Sequence, residues 1–184
     1  MHPADRLAAR VRDSGATPIL TFYDLAVPGH DRVELSATSL ANAVAKTAGL
    51  LRDELDAEPG DLISINLPVH WQLPVWLLAC AATGTVAGLQ APPDGARACA
   101  AEAEVYAEAE SPLRGRAEWD VAVSLHPLGL PPAFGLPDNV VNHALAARAH
   151  PDVFFPFGLS VDDPLLVTST GEHLSVRDAR SEEH

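Results

Sequence analysis

At 184 residues the chain suits one domain, or one large domain with an appendage, and 47% hydrophobic with 20% charged residues describes a core-forming chain, not a disordered one. Acids outnumber bases 25 to 12, the net charge is −13, Lys46 is the only lysine, and cations come no closer than pairs such as Arg114 and Arg116; a polyanion needs clustered cations, which argues against nucleic acid and anionic membrane surfaces as partners. The two cysteines, Cys80 and Cys99, make neither a CxxC nor a disulfide framework, and the start MHPADRLAARVRD has no apolar signal-peptide core, so a reduced cytoplasm is the expected location.

Residues 4–13 predict a short amphipathic helix with Leu7 and Val11 on one face and Gly15 as the stop. PILTFYD (18–24), the turn-like PGHD (28–31) and RVEL (32–35) predict a hairpin or a pair of short strands. Ser36 fits a helix N-cap, because its hydroxyl can accept a free N–H of the first turn. The helix that follows carries Leu40, Val44, Leu51 and Leu55 on one face, and EPGD (58–61) ends it. DLISINL (61–67) predicts a strand, 70–83 a helix apolar nearly all round and therefore buried on several sides, Gly84 its end, and TVAGLQ (85–90) a second buried strand. Strand, helix, strand at this spacing is a βαβ unit with parallel strands and a right-handed crossover. LPVWLLACAATGTVAGL (73–89) is at the short limit for a membrane span and is interrupted by Pro74, Gly84 and Gly88, with no basic anchor beside it, so the buried helix and strand explain it better.

The second half carries weaker signals. An Ala-rich helix is expected over 92–104, strands over 105–107 and 120–125, and a Pro- and Gly-rich loop over 126–138. Asp138 is expected to cap a helix over 139–149 with Val140, His143 or Ala144, and Ala147 inward. DPLLVTS (163–169) predicts the last strand, and SVRDARSEEH the start of a helix. The fold class expected is α/β: an open, mostly parallel sheet with helices on both faces. It is expected as a single domain over 1–184, well patterned over 1–92, less regular over 93–163, and ending in a loop region over 164–184.

The order of these elements resembles the front portion of adenylate-forming enzymes: acyl-CoA synthetases, luciferases and peptide-synthetase adenylation domains. The residues that carry the resemblance are Glu34-Leu35-Ser36-Ala37-Thr38-Ser39-Leu40 for the family's "E-L-[ST]-x-x-x-L", Pro59-Gly60-Asp61 for its "PGD" turn, Ile65-Asn66-Leu67-Pro68 for "I-x-L-P-N", and Leu78 to Val86 for "L-A-x-x-x-A-G-x-V". The resemblance implies the first subdomain of such an enzyme, with the chain ending about where the family's active site begins. The aromatic segment that stacks adenine, the acids that hold ribose and magnesium, and the lid with its catalytic lysine lie later in the family and have no counterpart here.

The family's phosphate loop follows a "DDPA" strand and runs roughly "T-S-G-T-T-G-x-P-K-G". Here Asp162-Asp163-Pro164 leads into Thr168-Ser169-Thr170-Gly171-Glu172-His173, without two of the glycines, the proline and the lysine, and with Glu172 where a cation would help. Phosphate cradles use backbone N–H groups and glycine's freedom at positive φ. Thr168, Ser169, Thr170 and Gly171 are therefore the candidate binding residues, for a single phosphate or carboxylate at most. The competing expectation is that their hydroxyls only close a tight turn.

Other chemistry is sparse. His126, His143 and His150 are the nearest to a metal set, but no HExxH is present and helix-end or surface histidines explain them better. Cys80 fits a core thiol, Cys99 has no adjacent Lys or His to activate it, and Ser64, Ser124 and Ser169 lack a GxSxG elbow. Trp71 and Trp76, five apart, face apart; core packing is the expected reading, with one of them at an interface as the alternative. Glu102, Glu104, Glu108 and Glu110 suit a solvated face. The expectation is a non-catalytic pseudoenzyme with no catalytic residue, metal or cofactor. It would bind a protein partner, a second copy of itself as a dimer, or a small acyl or apolar ligand. Half of a split adenylate-forming enzyme and a regulator with weak ATP binding at 168–171 are the alternatives.

Overall fold

The computed structural model describes residues 1–25, 31–89, 103–107, 117–131, 135–156, 159–168 and 171–181. Helix α1, Pro3–Ser14, starts with Pro3 in its first turn, where no N–H is needed, and His2 Nδ1 accepts the Ala4 N–H at 3.4 Å. Strands β1, Pro18–Asp24, and β2, Asp31–Ser36, pair antiparallel as a separate two-stranded sheet; most of the turn expected at 28–31 lies outside the described residues.

Ser36 ends β2 and caps α2, Ala37–Gly49, its Oγ accepting the Ser39 N–H at 3.1 Å. The helix continues into a π-helical turn, Leu50–Glu54, closed by the Leu55 N–H to the Leu50 carbonyl at 3.0 Å. Leu40, Val44, Leu51 and Leu55 are all buried, as their spacing predicts, and Leu50 joins them in the wider turn. The βαβ unit then forms as expected: β3, Leu62–Asn66; α3, Gln72–Thr83; and β4, Val86–Leu89, parallel to β3. Gly84 ends α3 at φ 79, a left-handed conformation that side chains resist, with Leu159 and Pro59 packed where a Cβ would stand.

The remaining strands are β5, Ala103–Ala107; β6, Trp119–Val123; β7, Val140–Asn142; β8, Pro164–Val167; and β9, His173–Ser175. The sheet order is β7-β6-β5-β3-β4-β8-β9, parallel throughout except for the antiparallel β8–β9 pair. This is the open, mostly parallel α/β sheet that the sequence pattern predicts. Ile63, Ile65, Ala87, Val105, Val121 and Val123 share one face by register, and Leu50, Leu51, Leu55, Trp76, Ala79 and Cys80 pack over it in one buried cluster. On the opposite face Ala122 and Val140 form a smaller cluster with Leu136. Helices α1, α2 and α3 pack on one another, and α4, His143–Ala146, joins the same layer through Thr47 and Trp76. The Ala-rich helix expected over 92–104 falls mostly outside the described residues, its last two positions opening β5.

Two elements differ from expectation. Residues 140–142 are not the start of a helix capped by Asp138: Val140 and Val141, β-branched and facing β6, pair with Asp120 and Val121 instead. The helix begins four residues later than expected, at His143, with Asn142 Oδ1 accepting the Leu145 N–H at 3.3 Å, and turns 3₁₀ over Ala147–Ala149. Val140, His143, Ala144 and Ala147 are nevertheless all buried. Strand β9 is additional to the expected elements; it exists because 173–175 returns along β8 before α5, Val176–Ser181.

After the 3₁₀ turn the chain is tied back onto α2. Lys46 Nζ bonds the His150 carbonyl and Asp152 Oδ1, each at 3.0 Å. His150 Nε2 lies 3.5 Å from Glu54, and the Arg52 guanidinium sits 4.4 Å above the Phe154 ring.

Candidate functional site

Six parallel strands, β3 to β8, end on one edge of the sheet. The chain leaves β3 toward β4 on one side and returns to β5 on the other, so the switch point lies between β3 and β5. Open parallel sheets hold their ligands outside such carboxyl ends. This edge is therefore the place to look.

At its β8 end stands the 168–172 turn. The Gly171 N–H donates to the Thr168 carbonyl at 2.9 Å, the Thr168 N–H to the Glu172 carbonyl at 2.9 Å, and the Glu172 N–H to Thr168 Oγ1 at 3.2 Å. Gly171 takes φ 82 and meets nothing within 4 Å where a Cβ would be, so the glycine serves the turn's conformation and not a close approach. Glu172 is exposed. Of the four candidate binding residues the structure thus places Thr168 and Gly171; Ser169 and Thr170 lie outside the described residues.

At the β3 and β6 ends a second group meets that the sequence did not bring together, although Ser124, His126 and Trp71 were considered there one by one. Gln72, buried at the start of α3, donates through Nε2 to the Ser124 carbonyl at 2.9 Å. His70 Nδ1 accepts the Gln72 N–H at 3.3 Å, and its ring lies edge-on to Phe22 at 4.8 Å and beside Trp71 at 5.5 Å. Burial lowers the His70 pKa, opposed by the Leu125 carbonyl and by Asp24. Ser124 Oγ accepts the His126 N–H at 3.2 Å, and His126 Nδ1 accepts the Leu128 N–H at 3.1 Å. Ser124 lies in and His126 follows the strand expected over 120–125, while His70 and Gln72 open the helix expected over 70–83; no local spacing in the sequence joins the two groups. Val69, 86% exposed, and Leu128, 78% exposed, are apolar residues of this region that face solvent.

The three histidines considered for metal binding are not brought together. His126 caps its own loop, His150 meets Glu54, and His143 is buried against Thr47, its Nε2 3.0 Å from Thr47 Oγ1. No group of three His, Cys, Asp or Glu side chains among the described residues has a metal-holding arrangement. Full burial pushes the Cys80 thiol up to about 12, and Cys99 is outside the described residues. Ser64 is buried in β3. Trp76 is completely buried and Trp71 partly so, its ring 3.3 Å from where a Gly129 Cβ would stand. Among the described residues no helix is long and apolar enough to cross a membrane; α3 spans twelve.

No family model matches the chain. A "TIGR03089 family protein" of Mycobacterium tuberculosis (strain ATCC 25618 / H37Rv) is 43% identical over 141 residues, which are 76% of this chain and 56% of that protein. The chain therefore spans little more than half the length of this curated relative. Among solved structures it is similar to the anthranilate CoA ligase AuaEII in complex with anthranoyl-AMP (TM-score 0.71, 15% identity), covering 91% of this chain and 32% of that one. It is similar to the acetoacetyl-CoA synthetase from Streptomyces lividans (TM-score 0.70, 22% identity), with 91% and 28% covered. A Brucella canis acyl-CoA synthetase gives a TM-score of 0.70 at 15% identity, with 91% and 31% covered. At these identities the likeness is one of fold. The chain folds as about a third of an acyl-CoA-ligase-type adenylate-forming enzyme, consistent with the front portion that its sequence resembles.

Proposed function

We propose that this chain binds and does not catalyse: a front layer of the adenylate-forming fold that acts through contact with a protein partner, a second copy of itself, or a small acyl or apolar ligand. One observation carries the reading. The N–H groups of Thr168, Gly171 and Glu172, which a phosphate cradle would leave free, are committed to the turn's own oxygens. Glu172 adds a negative charge beside them, and the sequence of this turn supplies no cation. The exposed Val69 and Leu128 at the carboxyl edge support an apolar contact there. The buried, unpaired Cys80 thiol is compatible with a reducing cytoplasm.

The test is ATP–pyrophosphate exchange by the purified chain with a panel of aliphatic and aromatic carboxylic acids. The expected result is no exchange above the protein-free control; acyl-AMP formation by this chain alone would overturn the proposal. Sedimentation velocity is expected to show a dimer, or a monomer that becomes a complex with its partner.

A second reading is favoured by the shares covered, about half of the curated relative and about a third of the solved structures. In it this portion serves an adenylate-forming enzyme whose nucleotide-holding parts come from elsewhere. Exchange activity that appears only on adding a complementary chain would select this reading. Calorimetry with ATP and magnesium separates a third: heat of binding, abolished by substituting Thr168, would indicate a nucleotide-binding regulator.

A further inference from the structure

Where α3 meets α4, His143 Nδ1 on α4 and Trp76 Nε1 on α3 are buried ring nitrogens with no hydrogen-bond partner among the described residues. The hydrogen-bonding character of each can be fixed. The Thr47 hydroxyl lies 2.9 Å from the Ala43 carbonyl, which can only accept, so the single hydroxyl proton is used there. Thr47 Oγ1 must then accept from His143 Nε2, 3.0 Å away. A neutral imidazole carries one N–H. With that proton on Nε2, Nδ1 is a bare lone pair and an acceptor, while an indole nitrogen only donates.

The unmet pair is thus one donor and one acceptor, on rings whose centroids are 4.9 Å apart and tilted by 45°. His143 is 7% exposed and Trp76 not at all, so bulk solvent does not serve them. Each such group left unmade costs about 1–3 kcal/mol. A molecule that accepts one hydrogen bond and donates another meets both needs, and two bonds of about 2.9 Å at a roughly tetrahedral angle span about 4.7 Å, the scale of this ring separation.

We propose that the interface of α3 and α4 is a binding site for one internal water, which accepts the Trp76 indole N–H and donates to His143 Nδ1. The chain Ala43 carbonyl, Thr47 hydroxyl, His143 imidazole, water, Trp76 indole then runs from α2 through α4 to α3 with every buried partner satisfied. The site lies in the helical layer, away from the carboxyl edge of the sheet, and does not depend on the functional reading given above.

The test is NMR on the ¹⁵N-labelled full chain at neutral pH. Long-range ¹H–¹⁵N correlation is expected to show the Nε2–H tautomer of His143, with Nδ1 shifted from the free lone-pair position toward the hydrogen-bonded one. A rotating-frame Overhauser cross-peak is expected between the Trp76 indole proton and a long-lived water. The Nδ1–H tautomer, the absence of that cross-peak, or a scalar coupling directly between the two ring nitrogens would each overturn the proposal. In Trp76→Phe, which removes the donor and keeps an aromatic ring, the His143 Nδ1 signal is expected to move; an unmoved signal would overturn it. Should that variant fail to fold, the wild-type measurements decide alone.

Discussion

His143 shows how one side chain can set a pH limit. Burial lowers its pKa from 6.5 to about 4 in the folded chain. Between those values the unfolded chain takes up a proton that the folded chain refuses, so stability is full above about pH 6.5 and falls as pH drops toward 4. The gap corresponds to roughly 3 kcal/mol. The urea midpoint is expected to fall between pH 7 and pH 4.5, and His143→Gln is expected to flatten that dependence even where it lowers stability overall. Cys80 supplies a second expectation. A fully buried thiol pushed up to about 12 does not form thiolate at neutral pH, so its labelling by iodoacetamide, followed on the Cys80 peptide by mass spectrometry, should proceed only at the rate of unfolding. The inward placement of Cys80 was legible from the apolar helix around it, whereas the sequence left His143 or Ala144 open as inward and pointed to a helix-end or surface histidine, which its burial corrects. The partner of His143 was not legible, because Thr47 is 96 residues away and no local spacing connects them.

The elements repeat this division between local and distant causes. Ser36→Ala removes the acceptor for the Ser39 N–H and should cost about 1 kcal/mol, read as a lower denaturant midpoint with an unchanged slope. Gly84→Ala forces a Cβ into the left-handed region at φ 79, with Leu159 Cδ2 3.0 Å away, and should cost about 1–2 kcal/mol or more. Both sites were readable because a cap and a stop are written within a few residues of the helix they bound. The βαβ unit was readable for the same reason, from the alternation of 61–67, the long apolar run of 70–83 and the glycine that ends it. Strand β7 is not legible locally, because Val140–Val141 also suits a helix and only β6 decides the matter. Strand β9 is three residues long, and nothing in His173-Leu174-Ser175 announces a strand without β8 beside it.

At the scale of the molecule, β3 is the fourth of the seven strands described in the larger sheet, joining the well-patterned part of the sequence to the strands contributed by the Pro-rich part. Ile65, 1% exposed, contacts neighbours from both. Ile65→Ala should cost about 2–5 kcal/mol, with far-UV and near-UV circular dichroism lost in one coincident transition; separate transitions would show that the two parts unfold independently. The sheet was legible because its strands follow one another in hydrophobic runs. The candidate site was legible only in outline, since Thr168 and Gly171 announce a turn while the bonds that occupy its N–H groups depend on where Glu172 returns. The tie between Lys46 and the 150–152 segment has a practical bearing on handling the protein. Because no other lysine exists, amine-directed reagents have one side chain and the α-amino group to attack. Acylation at that side chain erases its charge and detaches the segment, so coupling through primary amines would perturb the fold, and immobilisation or dye attachment belongs at the α-amino end under mildly acidic conditions.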